Sequence, residues 1–166
     1  VGDWGDTIQL FDEVKVTFEP MHHWSARGMG DRRNALWAAF VLQGPMGRVY
    51  HVGDTGVHDG LNYRAAQEKY DGFRLAILPF GAYEPRDFMK FQHQNPDEAV
   101  QGHLLCGADM TLGHHWGTVQ LTNESIEDQI EALDAALEKH DVSPEIFRRL
   151  QPGQVWDVPQ STPKQA

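Results

Sequence analysis

The tripeptide His-His-Trp occurs twice in this 166-residue chain, at positions 22–24 and 114–116. Each copy follows a predicted strand, the first ending at Pro20 and the second at Leu112. Adjacent side chains of an extended chain point to opposite faces, so one histidine of each pair can enter a common site while its neighbour cannot. Neutral imidazole is the commonest metal ligand, and a histidine that only bonds a backbone carbonyl is the alternative. The repeat therefore favours a fold in which two strand ends meet.

Composition excludes several classes of protein. Fourteen basic and 24 acidic residues give a net charge of −10, which argues against a partner that is a nucleic acid. The single cysteine, Cys106, rules out an intrachain disulfide framework. The densest apolar stretch, residues 35–42, is far shorter than the ~20 residues that cross a bilayer, so no transmembrane segment is expected.

The hydrophobic pattern predicts strands over residues 14–19, 36–42, 48–52 and 74–78. The second is apolar throughout, as for a strand covered on both faces, and it forms a hairpin with the third. Helices are predicted over 62–69, from the Asn95 cap to Cys106, over 126–137, and as a short terminal helix opened by Ser143. Strands that alternate with helices in this way are typical of an α/β fold.

The segment Gly53-Asp54-Thr55-Gly56 directly follows the predicted strand 48–52. Flanking glycines permit close approach and unusual backbone angles, and the carboxylate between them can serve as a metal ligand. A plain turn is the alternative. Combined with the strand-end histidines, Asp54 completes a mixed imidazole and carboxylate set that suits zinc or iron.

Two loops carry more functional groups than a connection needs. Residues 81–86 (GAYEPR) with Gln92 and His93 follow the strand 74–78, and an ion pair of Arg86 with Glu84 beside a buried Tyr83 is the structural alternative. The second loop carries three arginines in an acidic chain, namely Arg27, Arg32 and Arg33. It could hold a substrate phosphate, with a solvated loop as the alternative.

Other catalytic arrangements are absent from the sequence. There is no Gly-x-Ser-x-Gly elbow, no phosphate-binding Gly-x-x-x-x-Gly-Lys-Ser/Thr loop and no Gly-x-Gly-x-x-Gly. Cys106 lies late in a predicted helix beside Leu104 and Leu105, so a packed thiol is favoured over a nucleophile.

Several separate motifs, in one order, resemble those of a known family. They are HWSARG at 23–28, GDTG at 53–56, GAYEPR at 81–86, FMK at 88–90, QH at 92–93, PDEAV at 96–100 and HWGT at 115–118. The chain resembles the C-terminal half of metallo-β-lactamase-fold hydrolases of the type that includes N-acyl-phosphatidylethanolamine phospholipase D. The resemblance runs from about Trp4 to at least Leu137.

The resemblance implies an αββα sandwich with two zinc ions at the edge of its sheets, iron or manganese being the alternative metals. It implies His23 as a ligand of one metal, Asp54 as the bridging carboxylate that orients the nucleophile, and His115 as a ligand of the other metal. It further implies that Gln92 lines the substrate side and that His93 polarises or protonates the phosphate. Tyr83, Arg86 and Arg27 are then expected around the substrate, the first two as support.

The family's His-x-His-x-Asp-His motif is absent from these residues, so the remaining ligands are expected upstream of the chain. We therefore expect residues 1–158 to form half of the sandwich, a mixed sheet with helices on one face, followed by a flexible tail over 159–166. The other face should be apolar and uncovered, with Trp37, Phe40, Leu42 and Ile77 as candidates. This face predicts self-association or packing with the missing N-terminal half, and a chain that is inactive alone.

The expected function is that of a metal-dependent phosphodiesterase acting on a phospholipid or a small molecule, in the cytoplasm or at the periphery of a membrane. Two alternatives stay open. One is a hydrolase of the same fold that cleaves another ester, a lactone or a thioester. The other is a truncated, non-catalytic binding or assembly module.

Overall fold

In the computed structural model, which describes residues 2–160, the strands form one mixed sheet whose spatial order is their chain order. The strands are β1 Thr7–Phe11, β2 Val14–Pro20, β3 Ala38–Gly44, β4 Gly47–His51, β5 Phe73–Pro79, β6 Ala108–His114 and β7 Phe147–Arg149. Pairing is antiparallel from β1 to β4 and parallel from β4 to β7. The α/β class and the predicted β3–β4 hairpin are confirmed.

Helices connect the parallel strands, as parallel pairing requires. They are α1 Leu61–Tyr70, α2 Arg86–Met89, α3 Pro96–Cys106 and α4 Ile126–Lys139. The side chain of Asn95 accepts from the Glu98 backbone N–H, and Gly107 ends α3 with a positive φ of 66°. Reciprocal bonds between Ser125 and Asp128 cap α4 in the same way. These caps confirm the predicted starts of α3 and α4.

The predicted terminal helix after Ser143 is wrong. The carbonyl of Ser143 accepts from the backbone N–H groups of Ile146 and Phe147, which closes a single turn. The chain then extends as β7 and pairs with β6, with Phe147 opposite Thr111. Pairing buries the Phe147 ring almost completely, and this tertiary gain outweighs the local signal for a helix.

The centre of one face of the sheet is fully buried. Val41, Tyr50, Ala76 and Thr111 lie in one register across β3 to β6, and all of them are buried. Helix α1 covers this row through Tyr63, whose ring lies 6.3 Å from that of Tyr50. Helix α3 covers it further along, where the His103 ring bonds the Thr111 hydroxyl. The core therefore lies between this face and the helices.

The opposite face is incompletely covered by the described residues. Phe18, Phe40, His51 and Ile77 form the neighbouring register row, and the Phe40 side chain is 39% exposed. The expectation that the predicted strand 36–42 is covered on both faces is therefore wrong. The observed strand, β3, also begins two residues later than predicted, at Ala38. Phe40 and Ile77 do lie on the less buried face that the sequence predicted, as does the half-buried Leu42.

Trp37 lies just before β3 and lines a cleft of about 760 Å³ at this face, together with Trp4, Phe18 and Phe40. The Trp4 indole N–H donates to the Trp37 carbonyl at 2.9 Å, so the N-terminal segment forms one wall of the cleft. Because these four aromatic side chains line the cleft, much of its wall is apolar. No other part of residues 2–160 fills the cleft, so this apolar surface is accessible.

The segment after β7 returns across the sheet. The guanidinium of Arg74 donates to the carbonyls of Val158 and Pro159, and Arg148 lies 5.0 Å from the Trp156 ring centre. The expected flexible tail begins at Pro159, and its residues 161–166 lie outside the described residues.

Of the helices in residues 2–160, none combines the length and apolar character needed to cross a membrane.

His103 couples the stability of the fold to pH. Burial lowers the pKa of His103 to about 4, whereas an unfolded histidine titrates near 6.5. Below pH 6.5 the unfolded chain therefore gains a proton that the folded chain excludes, so stability falls as the pH drops towards 4. In His103→Asn, which keeps a polar atom near Thr111 but does not titrate, we expect this loss to shrink by up to about 3 kcal/mol.

Urea unfolding at pH 7 and pH 4.5 measures this difference. The comparison uses the change between the two pH values, because any packing cost of the substitution is the same at both. Parallel pH profiles for the two proteins would show that His103 does not carry the effect.

Candidate metal centre

Four strand ends meet at one edge of the sheet. Strands β2 and β4 both pair antiparallel with β3, so they run in the same direction, and β5 and β6 run parallel to β4. The segments that follow these four strands therefore emerge side by side, at the edge where open α/β sheets bind ligands. They carry the histidines and the carboxylate that the sequence singled out.

After β2, the orientation of His23 is fixed by the neighbouring backbone. Its Nδ1 lies 2.9 Å from the Trp24 carbonyl oxygen. A carbonyl only accepts, so Nδ1 carries the proton and Nε2 keeps a free lone pair. The Trp37 ring packs against His23 with 4.5 Å between ring centres. His23 is thus held in the tautomer that can bind a metal through Nε2.

After β4, a tight loop presents Asp54. The Trp37 indole N–H donates to the Asp54 carbonyl at 2.7 Å, and the Thr55 hydroxyl accepts from the His22 N–H at 3.1 Å. Gly56 lets the loop approach the chain near Lys90, because a Cβ there would lie 2.6 Å from the Lys90 carbonyl oxygen. The backbone of the loop is fixed while the Asp54 carboxylate stays partly exposed.

After β5, the chain folds back through α2 to bring in His93. The Arg86 guanidinium donates to both carboxylate oxygens of Glu98 at 2.8 Å, and to the His93 carbonyl at 3.0 Å. Burial lowers the pKa of His93 to about 4, against the opposing effect of the Asp54 carboxylate. The ring is therefore neutral at pH 7, and its buried Nδ1 has no partner among the described residues.

After β6, His115 enters the site through an unusual backbone conformation. Its φ is 62°, in the left-handed region that side-chain-bearing residues rarely adopt. Gly81 packs directly against it, since a Cβ on Gly81 would lie 1.8 Å from the His115 carbonyl oxygen. The resulting position puts His115 Nε2 3.3 Å from an Asp54 carboxylate oxygen.

The structure thus gathers four potential ligands. One ligand atom each from His23, Asp54 and His93 lie within 4.8 Å of one another, and His115 adjoins Asp54. Two neutral or tautomer-fixed imidazoles and a carboxylate form a donor set that fits zinc or iron. His93, expected on the substrate side, lies within the compact set, whereas His115 lies beside it.

The other histidine of each triplet points elsewhere. The His22 ring packs against His58 in a tilted arrangement, with 3.9 Å between ring centres and 32° between ring planes. His114 Nε2 lies 2.7 Å from the Val52 carbonyl, and burial lowers the pKa of His114 to about 4. Neither His22 nor His114 belongs to the compact set formed by His23, Asp54 and His93.

The remaining residues predicted for the site differ in their surroundings. The Gln92 carboxamide oxygen accepts from the Trp24 indole N–H beside the cluster. Tyr83 is buried, and burial together with the Glu124 charge raises its pKa to about 12. Arg27 lies in the exposed loop between β2 and β3, where its backbone N–H donates to Asp31.

Sequence reasoning missed the acids that hold the loop after β5. Buried Glu124 accepts from the backbone N–H groups of Tyr83 and Glu84, at 3.0 and 3.1 Å. Arg86 pairs with Glu98 rather than with Glu84. The position of Glu98 in the first turn of α3 is visible in the sequence as a capping signal, but no local pattern marks Glu124 as a partner of a loop 40 residues away.

Comparison with known proteins gives a consistent picture. A family model described as the β-lactamase superfamily domain matches residues 2–116. N-acyl-phosphatidylethanolamine-hydrolyzing phospholipase D 1 of Caenorhabditis elegans is 34% identical over 161 residues, which are 94% of this chain and 45% of the relative. A UPF0173 metal-dependent hydrolase of Pyrobaculum neutrophilum is 30% identical over 80% of this chain and 52% of its own length. The chain spans about half the length of these curated relatives.

Solved structures share the fold. An isothiocyanate hydrolase from Delia radicum gut bacteria superposes with a TM-score of 0.66 at 13% identity, over 90% of this chain and 56% of that one. The metallo-β-lactamase fold protein YhfI of Bacillus subtilis gives a TM-score of 0.64 at 17% identity, over 94% and 54%. The expected metallo-β-lactamase type of fold is therefore confirmed.

Gly81 tests the geometry of the cluster. In Gly81→Ala the new methyl group collides with the His115 carbonyl, so the backbone of His115 must move. We expect a loss of about 1–3 kcal/mol in unfolding free energy, as for other overpacked sites. Zinc affinity, measured by competition with a chelator, should fall at least about tenfold because the ligand geometry is disturbed.

Gly30→Ala is the matched control, because a Cβ at Gly30 meets no atom within 4 Å. It should leave stability and zinc affinity unchanged. Wild-type zinc affinity in Gly81→Ala would contradict a role for the His115 position in metal binding.

Proposed function

Because the chain belongs to the β-lactamase superfamily domain family, we propose that it forms part of a metal-dependent hydrolase, and that the reaction is hydrolysis of a phosphodiester in an N-acylated phospholipid. The convergence of His23, Asp54, His93 and His115 on one sheet edge carries this proposal. The likeness to the C. elegans phospholipase over 94% of the chain supports the substrate class.

His23, Asp54 and His115 are the residues proposed to hold the metal, and two ions are proposed as the resemblance implies. The fixed tautomer of His23 and the 3.3 Å separation of His115 from Asp54 support these roles. When bound, zinc, iron or manganese supplies Lewis acidity towards a phosphoryl oxygen and towards the attacking water. Asp54 has two carboxylate oxygens, and each of them would be available to hold a metal ion. The carboxylate would thereby orient the attacking group.

His93 is proposed to polarise the phosphate. Because burial keeps its ring neutral at pH 7, it can offer one N–H as a hydrogen-bond donor while the other nitrogen accepts. Polarisation by a hydrogen bond is therefore favoured over transfer of a proton from an imidazolium. The contact of the Arg86 guanidinium with the His93 carbonyl supports a fixed position for this ring.

Gln92 is proposed to contact the substrate directly. Arg27 is proposed to contact an anionic group of the substrate. Arg86 already bonds Glu98 and two backbone carbonyls, and Tyr83 is buried. Both are therefore proposed to support the loop around the substrate. A phospholipid substrate requires the enzyme to work at a membrane surface, in keeping with the peripheral localisation expected from the sequence.

Residues outside this sequence are proposed to complete the site. The candidate ligands are only partly buried at the edge of the sheet, and the apolar sheet face around Phe40 lacks a cover among residues 2–160. The chain also spans only 45% of the phospholipase relative. We infer that a preceding segment supplies further metal ligands, covers this face and is needed for activity.

A related hydrolase activity is the second candidate. The 30% identity to a UPF0173 metal-dependent hydrolase supports hydrolysis without pointing to a phosphodiester. An ester, a lactone or a thioester is then the proposed substrate for the same residues. A panel of phosphodiesters, esters, lactones and thioesters separates the two candidates. A metal-free full-length protein, inactive on the whole panel, would instead indicate a binding or assembly module.

Asp54→Asn tests the metal-dependent mechanism. Loss of the carboxylate charge should lower metal content and reduce hydrolysis by at least about a hundredfold in the full-length protein. Elemental analysis and hydrolysis of phospholipid vesicles measure the two effects. Asp12→Asn, on the exposed β1–β2 turn, is the matched control. Full metal content with full activity in Asp54→Asn would refute the mechanism.

Phe40→Lys tests whether the apolar sheet face drives association. Burying this face is worth about 25 cal/mol per Å² of apolar surface, so the chain alone should self-associate at tens of micromolar. A lysine at the centre of the face should give monomers in sedimentation velocity. Phe88→Lys, an exposed residue of α2, should leave the association unchanged. A monomeric wild-type chain would contradict the prediction.

A further inference from the structure

Trp24 contacts two residues of the candidate centre, His23 and Gln92. Its carbonyl fixes the tautomer of His23, and its indole N–H donates to the carboxamide oxygen of Gln92. The indole ring stacks parallel to His23, with 5.8 Å between ring centres and 7° between planes. The Arg32 guanidinium lies 4.1 Å from the centre of the same ring. The indole is therefore contacted on its ring face by His23 and Arg32, and at its N–H edge by Gln92.

The hydrogen bond to Gln92 has a definite direction. An indole N–H only donates, and of the two ends of a carboxamide only the oxygen accepts. The oxygen of Gln92 must therefore face Trp24, which turns the amide NH2 group away from the indole. The orientation of this carboxamide follows from donor and acceptor chemistry.

The backbone around Gln92 is fixed as well. The N–H groups of Gln92 and His93 both donate to the Met89 carbonyl at the end of α2, at 2.9 and 2.8 Å. The next residue, His93, belongs to the compact set of side chains that could hold a metal. Gln92 is partly buried, so its side chain is shielded in part from bulk water next to a member of the candidate centre.

We propose that Trp24 is a positioning residue, which orients Gln92 so that the amide NH2 group, and not the amide oxygen, meets the substrate. The rim of the site then selects substrates that carry an acceptor oxygen beside the scissile bond, such as a phosphoryl or an acyl oxygen. This inference rests on the proposed hydrolase function for its catalytic consequence, whereas the orientation of Gln92 can be measured without any substrate.

The first experiment measures the hydrogen bond itself by ¹H–¹⁵N NMR of the tryptophan indole groups in the full-length protein. Trp24→Phe identifies the Trp24 resonance. That resonance should shift upfield in Gln92→Ala, which removes the acceptor, and should stay near its wild-type position in Gln92→Glu, which keeps one. The indoles of Trp4 and Trp37 are internal controls, because they donate to the carbonyls of Trp37 and Asp54. An unshifted Trp24 resonance in Gln92→Ala would overturn the proposal.

The second experiment separates the donor role from a structural one. Gln92→Glu keeps the bond to Trp24 but loses the NH2 donor, so kcat/KM should fall at least about tenfold while the indole resonance is unchanged. Trp24→Phe keeps an aromatic ring but removes the indole N–H, which frees the carboxamide to rotate. The value of kcat/KM should therefore fall several-fold, in proportion to the fraction of Gln92 still in the productive orientation. A merely structural Gln92 predicts wild-type activity in Gln92→Glu, and this result would overturn the proposal.

A double-mutant cycle completes the test. If Trp24 acts only through Gln92, Trp24→Phe should have no further effect on kcat/KM in a Gln92→Ala background. Multiplicative effects of the two substitutions would overturn the positioning role. If wild-type protein hydrolyses none of the phosphodiesters and esters, the proposed function fails, and the NMR result alone decides whether Trp24 orients Gln92.

Discussion

Antiparallel pairing of β3 with both of its neighbours sets the position of every candidate ligand. Because the chain reverses direction between β2 and β3 and again between β3 and β4, β2 and β4 end at the same edge of the sheet. Parallel pairing brings the ends of β5 and β6 to that edge too. Residues as distant in sequence as His23 and His115 thereby become neighbours of one carboxylate. The strands supply direction and spacing, and the loops that follow them need only supply the side chains.

The loop after β5 is held mainly by electrostatic contacts. Glu124 holds the loop after β5 by its backbone N–H groups, and the ion pair of Arg86 with Glu98 ties the same loop to the start of α3. Each of these carboxylates is satisfied by several donors, as burial of a charge requires. His93 is thus positioned by a network of partly buried charges, so its place depends on residues that never approach the ligand atoms.

Local patterns in the sequence were sufficient for the elements that local chemistry determines. The hairpin of β3 and β4 and the caps of α3 and α4 depend on neighbouring residues, and the residues after strand ends could be recognised as site candidates. Elements that depend on distant partners could not be predicted. Strand β7 exists because Phe147 pairs and packs beside β6, and β1 is an exposed strand whose only pairing is with β2 among the described residues. His93 lies close to His23 and Asp54 because the chain turns back through α2. The spacing of residues in the sequence does not predict this proximity.

The order of the strands has a consequence for how the chain folds. Each strand in residues 2–160 pairs with the strands next to it in sequence, so no pairing skips a strand. The parallel pairs nevertheless join residues that are far apart in sequence, such as Leu75 and Met110. Because the entropy of closing such long loops must be overcome before the strands pair, these steps are expected to be slower than formation of the hairpin. The sheet can grow outward from the β3–β4 hairpin, one strand and one helix at a time. Each added helix buries the new strand on the same side, and the ligands reach their common edge only when β6 has joined.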